Sequence, residues 1–214
     1  MTTVFLVRHG VTEHTGHKLS GWMPGIHLND EGRRQAESAA TQLAGVKLKA
    51  IYSSPLERCF ETAEIVAAPH KRRVATDEAL GEVEYGTWTG RSLKSLTRTK
   101  LWTTVQRWPA AMRFPEGETL RGVQARAVDY LEEIKALHPK DSVCCVSHGD
   151  VIKLVLAHYL GVHIDLYQRI VVGPASISIV ALAEYGPYIL AMNTMPSRTD
   201  AKERPRPSLP GEPA

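Results

Sequence analysis

The stretch TTVFLVRHG, residues 2–10, joins a short apolar run to two polar side chains. The run TTVFLV predicts a buried β-strand, and Arg8 and His9 follow it directly. The pattern recurs twice, as AIYS (50–53) before Ser54-Pro55 and Arg58, and as SVCCV (142–146) before Ser147-His148-Gly149. Three predicted strands therefore end in groups that carry chemistry.

Segments with helical spacing alternate with these strands. Ala36, Ala39, Ala40 and Leu43 follow an N-cap at Asn29 or Asp30, a second helix runs from Ser54-Pro55 to about Ala67, a third from Thr119 to before Pro139, and a fourth ends at Leu160. Further strands are predicted near 73–76 and within 175–182 and 186–191. The alternation predicts an α/β fold, a three-layer α/β/α sandwich with a mainly parallel, mixed central sheet.

The composition fits one globular domain. The chain has 214 residues, of which 43% are hydrophobic and 23% charged. A net charge of +3 argues against a nucleic-acid binder. The most apolar stretch, 151–160, contains Lys153 and His158, which excludes a membrane span, and the four apolar residues 4–7 are too few for a signal peptide. Three cysteines without metal-ligand spacing indicate a reduced, cytoplasmic protein.

Two segments stand apart from the regular pattern. Residues 193–214 hold five of the 13 prolines and no aromatic residue, so we expect one domain over 1–192 followed by a disordered tail. Residues 80–117 are rich in glycine and proline and hold three of the four tryptophans. Within them, one group either caps a substrate or packs on the core: Trp102, Arg107, Trp108, Met112 and Phe114.

The three strand ends predict one ligand site. Ligands of open α/β sheets bind beyond the carboxyl ends of the strands. Parallel strands would bring together Arg8, His9, Arg58 and His148 there. Two guanidinium groups and two imidazoles suit a dianion, most naturally a phosphoryl group. Gly10 and Gly149 would let backbone approach the ligand closely.

The chain resembles a known family over roughly residues 3–185. The resemblance is carried by LVRHGVT (6–12), SGW (20–22), LNDEG (28–32), SSPLER (53–58), EVEYG (82–86), PEGET (115–119) and VSHG (146–149), in the family's order. These blocks are similar to those of the histidine phosphatase superfamily, in its phosphoglycerate mutase-like branch. The resemblance implies a phosphoglycerate mutase-like fold.

The resemblance also implies catalytic roles. His9 resembles the nucleophile that forms a phosphohistidine, which water then hydrolyses. Arg8, Arg58 and His148 resemble the phosphate pocket, with His148 expected to be protonated. Glu82 matches the general acid, and Glu84, two residues on, is the competing candidate. No metal and no cofactor are expected.

Further residues are assigned to substrate binding. Thr12 matches a hydroxyl frequent in this loop, Ser20 and Gly21 offer backbone groups, Gly149 lies beside His148, and Thr15 stands where relatives often have asparagine. His14 and His17 are interpreted as exposed loop histidines rather than metal ligands.

Three functions are weighed. The leading one is a metal-independent phosphomonoester hydrolase acting on a small phosphorylated metabolite, since Leu93 stands where a mutase-like lysine would be expected. The alternatives are a cofactor-dependent phosphoglycerate mutase-type enzyme and a non-catalytic sensor of phosphorylated ligands. The partner is a small phosphate ester, with no nucleic acid and no membrane. A homodimer is left open, because relatives include monomers and dimers.

Overall fold

The computed structural model describes residues 1–195. The strands of this part are β1 (Thr2–Arg8), β2 (Leu48–Ser53), β3 (Val74–Thr76), β4 (Ser142–Ser147), β5 (Ile177–Ala183) and β6 (Gly186–Thr194). The helices are α1 (Asp30–Leu43), α2 (Glu57–Ala67), α3 (Leu93–Leu96), α4 (Lys100–Arg107), α5 (Leu120–Leu137) and α6 (Gly149–Tyr159). Short 3₁₀ segments cover Ala68–His70, Glu78–Leu80, Gly86–Trp88, Pro109–Ala111 and Ile164–Arg169.

The strands form one mixed sheet in the order β3-β2-β4-β1-β5-β6. Strands β1 to β4 pair in parallel, whereas β5 runs antiparallel to β1 and β6 antiparallel to β5. The predicted α/β fold with a mainly parallel, mixed sheet is confirmed.

Both faces of the sheet are covered, which explains why its central strands are apolar throughout. Val4 and Leu6 of β1 pack in the core cluster beneath α5 and α6. Phe5 and Val7 point to the other face and pack with α1 and α2. The two faces make the three layers that the alternating pattern predicts.

Helix caps follow the sequence signals. The side chain of Asn29 accepts a hydrogen bond from the amide of Gly32 at 2.9 Å, which makes Asn29 rather than Asp30 the N-cap of α1. Thr119 caps α5 through Gly122 in the same way. These caps begin each helix where its periodic apolar residues begin.

One predicted helix boundary is wrong, and the predicted domain end lies within a strand. Helix α2 begins at Glu57 and not at Ser54-Pro55. The hydroxyl of Ser54 lies 2.9 Å from Nε2 of His148, at the edge of the sheet. The expected domain end at residue 192 falls inside β6, where Asn193 accepts from the amide of Gly173 at 2.7 Å and Thr194 donates to Ile177 at 2.9 Å. The rest of the expected tail, from residue 196, lies outside the described residues. In residues 1–195 no helix is long and apolar enough to cross a membrane.

Candidate active site

The carboxyl ends of β1, β2 and β4 meet at one edge of the sheet. The register pairs Arg8 with Ser147 and Ser53 with Val146, so the loops that follow these strands start side by side. They open into a cavity of about 240 Å³ whose wall includes Arg8, His9, Arg58 and Gly149. The convergence predicted from the three strand ends is therefore present.

His9 lies at the bottom of this cavity and is 6% exposed. Its Nδ1 lies 2.7 Å from the carbonyl oxygen of Gly10. We assign the proton to Nδ1, because a carbonyl oxygen only accepts hydrogen bonds. Burial lowers the pKa of His9 well below its ordinary value, and the positive charges of Arg58 and Arg8 lower it further. The imidazole is thus neutral at pH 7, with Nε2 unprotonated.

Two guanidinium groups in the cavity wall have spare donors. Arg58 is 2% exposed and donates from Nη2 to the carbonyl of Gly21 at 2.8 Å, while its buried Nη1 has no hydrogen-bond partner within residues 1–195. Arg8 donates from Nη1 to Val172 at 2.7 Å, and its buried Nε has no partner in the described part of the chain. Buried donors without a partner are costly, so an acceptor oxygen at either atom would be favourable.

His148 is completely buried between these groups. Its Nδ1 accepts from Nη2 of Arg58 at 3.2 Å, and Nε2 lies 2.9 Å from the hydroxyl of Ser54. The rings of His148 and His9 are 5.2 Å apart. Burial, followed by the charge of Arg58, lowers the pKa of His148 well below its ordinary value. In this structure Arg58 supplies the proton at Nδ1, which favours a neutral His148, and the expected protonation of His148 beside a bound phosphate stays a prediction.

Glu82 faces the cavity from the loop between two 3₁₀ segments. Its side chain is 13% exposed, and Oε2 lies 3.6 Å from Nδ1 of His148. The carbonyl of Glu82 accepts from Nε1 of Trp22 at 2.6 Å and from Arg126 at 3.0 Å, which fixes the backbone. Burial, and then the charge of Asp150, raise the pKa of Glu82 to about 7, against the opposing charges of Arg58 and Arg8. A carboxyl group with this pKa can both give and take a proton near neutral pH.

Glu84, the competing carboxylate, lies outside the cavity. It is exposed, and its amide donates to a carboxylate oxygen of Glu118 at 2.9 Å. Its carbonyl accepts from the amide of Glu118 at 2.9 Å. The geometry therefore places Glu82, and not Glu84, beside the two histidines.

The loop after β1 supplies hydroxyl groups to the wall. Thr12, Thr15 and Ser20 all line the cavity. Thr12 is 3% exposed, and its hydroxyl lies 3.1 Å from that of Thr15 and accepts from the amide of His14 at 3.2 Å. Ser20 lies 3.1 Å from Nδ1 of His14. Three of the polar residues assigned to substrate binding are thus brought together here.

The glycines serve the site less directly than expected. Gly21 does not line the cavity; it adopts a positive φ of 51°, and its carbonyl holds Arg58. Gly149 lines the cavity, and a Cβ there would lie 3.1 Å from Nε and Cζ of Arg8. A Cβ at Gly10 would lie 2.3 Å from the carbonyl oxygen of Gly32. Gly10 therefore allows helix α1 to approach, and it does not line the cavity.

Several residues of the wall were missed by the sequence reasoning. His14 is half-buried in it, where burial and then the charges of Lys18 and Arg58 lower its pKa, and so it is not the exposed loop histidine expected. Asp150 and Lys153 also line it, from the first turns of α6, and pair at 3.3 Å. The position of Asp150 directly after Ser147-His148-Gly149 is a signal that indicates it.

The five residues considered as a cap divide between the two interpretations. Met112 and Phe114 are buried in the core, at 1% and 2% exposure. Trp102 and Phe114 also line a second cavity beside the first. Trp108 is 56% exposed, and neither it nor Arg107 lines either cavity. Over residues 1–195, no three or more His, Cys, Asp or Glu side chains are grouped to hold a metal ion.

The profile of the histidine phosphatase superfamily (branch 1) matches residues 4–195. The chain belongs to the histidine phosphatase superfamily. Phosphoserine phosphatase 1 of Hydrogenobacter thermophilus is 29% identical over 196 residues, which are 90% of this chain and 92% of that protein. The probable phosphoglycerate mutase GpmB of Proteus mirabilis is 31% identical over 182 residues, 83% of this chain and 84% of its own.

The fold of this histidine phosphatase is also that of solved relatives. A phosphoserine phosphatase variant from Entamoeba histolytica, crystallised with phosphoserine, superposes with a TM-score of 0.83 at 26% identity, over 91% of this chain and 98% of that one. The expected phosphoglycerate mutase-like fold and the expected enzyme class are confirmed. The protein is a phosphatase of this superfamily that works through a histidine, and mutases are also among its relatives.

Proposed function

We propose that this histidine phosphatase hydrolyses small phosphate monoesters with His9 as the nucleophile and Glu82 as the general acid. The observation that carries the proposal is the placement of His9, whose Nδ1 lies 2.7 Å from the carbonyl oxygen of Gly10, in a cavity with the cationic side chains of Arg8 and Arg58. An unprotonated nitrogen beside guanidinium groups is the arrangement that attack on phosphorus requires.

The first half of the reaction transfers the phosphoryl group to the protein. Nε2 of His9 attacks phosphorus as the bond to the ester oxygen breaks, and the protonated carboxyl of Glu82 gives its proton to that oxygen. The spare donors of Arg8 and Arg58 bind the other phosphate oxygens. Their charge is most valuable where negative charge spreads over those oxygens in the transition state. The alcohol leaves, and a phosphohistidine with an ionised Glu82 remains.

The second half releases phosphate. Glu82, now ionised, takes a proton from a water molecule, whose oxygen attacks the phosphorus of the phosphohistidine. The bond to Nε2 breaks, inorganic phosphate forms, and Glu82 is again protonated. A pKa near 7 suits a group that performs both steps at neutral pH.

The hydroxyl groups of Thr12, Thr15 and Ser20 are proposed to contact the ester or its phosphate from the loop after β1. Gly149 is proposed to contribute its backbone at the start of α6, where the helix dipole favours an anion. Gly21 acts one step away, by holding Arg58. A cytoplasmic location is proposed as well, since the three cysteines are free and buried.

Relatives guide the choice of substrates. Two of them are named for phosphoserine phosphatase activity and one for phosphoglycerate mutase activity. We therefore propose a small phosphorylated metabolite as substrate and include phosphoserine and 3-phosphoglycerate among the esters to test. Hydrolysis is favoured over mutase activity because Leu93, an uncharged residue, lines the cavity at the position where the family resemblance expects a mutase lysine.

Release of inorganic phosphate, measured with a chelator present, tests the proposal. The panel comprises phosphoserine, 3-phosphoglycerate, sugar phosphates and nitrophenyl phosphate, with wild type, His9→Ala and His17→Ala. His17 is an exposed histidine of the same loop outside the cavity wall, so His17→Ala is the matched control. We expect release by wild type and His17→Ala and none by His9→Ala. Trapping of labelled phosphoprotein is expected to vanish with His9.

Equal release by wild type and His9→Ala would refute the assigned nucleophile. If no ester is hydrolysed, interconversion of 2- and 3-phosphoglycerate with a bisphosphoglycerate primer tests the mutase. Failure of both assays would leave the ligand-sensing alternative.

A further inference from the structure

We call the cavity lined by Arg8, His9 and Arg58 the phosphate cavity. A second cavity of about 160 Å³ adjoins it. The two share the side chains of Leu19, Tyr85, Leu93, Asp150 and Lys153, so the second cavity lies directly beside the first. Together their volumes reach the range of about 300–1,000 Å³ that is usual for ligand sites. We call the second cavity the aromatic compartment.

The aromatic compartment has preformed walls. Trp88 stacks on Trp102 with ring centroids 6.3 Å apart and 26° between the planes. Phe114 meets the ring of Trp88 edge to face at 5.5 Å and that of Tyr85 at 5.0 Å. Each of these rings is fixed by its neighbours, so the walls keep their shape without a ligand.

Helix α4 presents one face to this space. Trp102, Val105 and Gln106 follow the i, i+3, i+4 spacing of a single helical face, and all three line the compartment. Gln106 is exposed, which puts the compartment in contact with solvent along α4. The compartment is therefore a branch of an open site and not a void sealed in the core.

The charges on the shared wall are already paired with each other. Nζ of Lys153 lies 3.3 Å from Oδ1 of Asp150, and the hydroxyl of Tyr85 donates to Oδ2 of Asp150 at 3.1 Å. Beyond this group the wall consists of aromatic and aliphatic side chains with two amides, Gln106 and Gln168. Such a wall favours an uncharged ring, since the charge of Lys153 is already paired with that of Asp150.

We propose that the aromatic compartment binds the alcohol part of the substrate and that this alcohol carries an uncharged ring with an apolar face. The proposal rests on the proposed function, since it takes the phosphate group to lie between Arg8 and Arg58. It makes Trp102 and Val105 residues that determine specificity. A three-carbon ester such as phosphoserine leaves the compartment unused.

Binding of two matched esters to the His9→Ala protein tests the proposal without turnover. The probes are 2-phenylethyl phosphate and ethyl phosphate, which differ by a phenyl ring and have similar alkyl oxygens. Calorimetry is expected to give a Kd for the ring ester that is lower by roughly tenfold or more. Trp102→Ala, added to His9→Ala, is expected to reduce this preference by about fivefold.

Trp108→Ala is the matched control, because it removes the same side chain at the end of the same helix from an exposed position outside the compartment. It is expected to keep the preference. Gln106→Glu provides a second test on an exposed residue. A carboxylate in the wall is expected to weaken the binding of 2-phenylethyl phosphate and to leave the affinity for ethyl phosphate unchanged.

Equal affinity of the two esters for the His9→Ala protein would overturn the proposal. The proposal would also be overturned if Trp102→Ala weakened the binding of both esters equally and Gln106→Glu left the ratio of their Kd values unchanged. Phosphate release by wild type is measured separately. Its absence would refute the proposed function and leave the binding preference as an independent result.

Discussion

Replacement of Asp150 by asparagine tests the electrostatic control of Glu82, the proposed general acid. Asp150 is the second cause, after burial, of the pKa of about 7 at Glu82. Asparagine removes the negative charge and keeps an oxygen that can accept from the hydroxyl of Tyr85. With less negative charge nearby, ionised Glu82 is less unfavourable and its pKa falls. Because burial remains, we expect a fall of about one pH unit.

The pH dependence of kcat/KM for an alkyl phosphate reports this change, since it follows the ionisation of the free enzyme. Glu82 must be protonated for the first step, so the rate of wild type is expected to fall above a pH of about 7. For Asp150→Asn the fall begins about one pH unit lower. The expected loss relative to wild type is roughly tenfold at pH 8 and less than about 1.5-fold at pH 5.5.

The control accounts for Lys153, which loses its partner when Asp150 is replaced. The double variant Asp150→Asn/Lys153→Met removes both charges, and Lys153→Met alone measures the effect of the lysine. Nitrophenyl phosphate serves as a second control, since its leaving group needs little protonation. A descending limb at the same pH in wild type and in both Asp150 variants would refute the reasoning.

Three more predictions concern single side chains. Arg58→Ala is expected to weaken competitive inhibition by vanadate by about 10- to 100-fold, because a charge-assisted donor is lost. Unchanged inhibition would contradict the proposed position of the phosphate pocket. Glu82→Gln is expected to slow the hydrolysis of ethyl phosphate by roughly 100-fold or more and that of nitrophenyl phosphate by less than about tenfold. An equal decrease in both rates would indicate that another residue is the general acid. Gly10→Ala is expected to lower the free energy of unfolding in urea by about 1–3 kcal/mol, since its Cβ would lie 2.3 Å from the carbonyl oxygen of Gly32. Gly45→Ala is the control, because the space around Gly45 is open. Equal free energies of unfolding for the two variants would contradict the packing argument.

The fold was predictable wherever one local pattern dominated. The run 2–7 is apolar on both faces because each face of β1 is covered by helices, and the sequence displays this directly. The segment 91–112 has no such pattern, so α3 and α4 could not be read from it. The end of β6 was missed because Asn193 and Thr194 are held by hydrogen bonds to distant residues, and no local signal reports these.

The residues of the candidate site also divide into those that a local sequence pattern indicates and those that it does not. Arg8, His9 and His148 were found because each stands at the end of a recognisable strand. Lys153 was missed because its place in the wall depends on the direction that α6 takes from the sheet. The low pKa of His148 has no local signal in the sequence, because it depends on burial and on a guanidinium 90 residues away in the chain.

After burial, the charges of Arg58 and Arg8 are a further cause of the low pKa values of the two histidines, and they are also the charges proposed to bind phosphate. The positive charges of Arg58 and Arg8 attract a dianion, and the same charges disfavour a proton on His9 and on His148. In the proposed reaction, His9 is therefore unprotonated before the ester binds. Glu82 lies in the same field, which favours its ionised form, and burial with the charge of Asp150 outweighs that effect. The loss of either arginine would thus weaken phosphate binding and also return His9 toward its protonated, unreactive form.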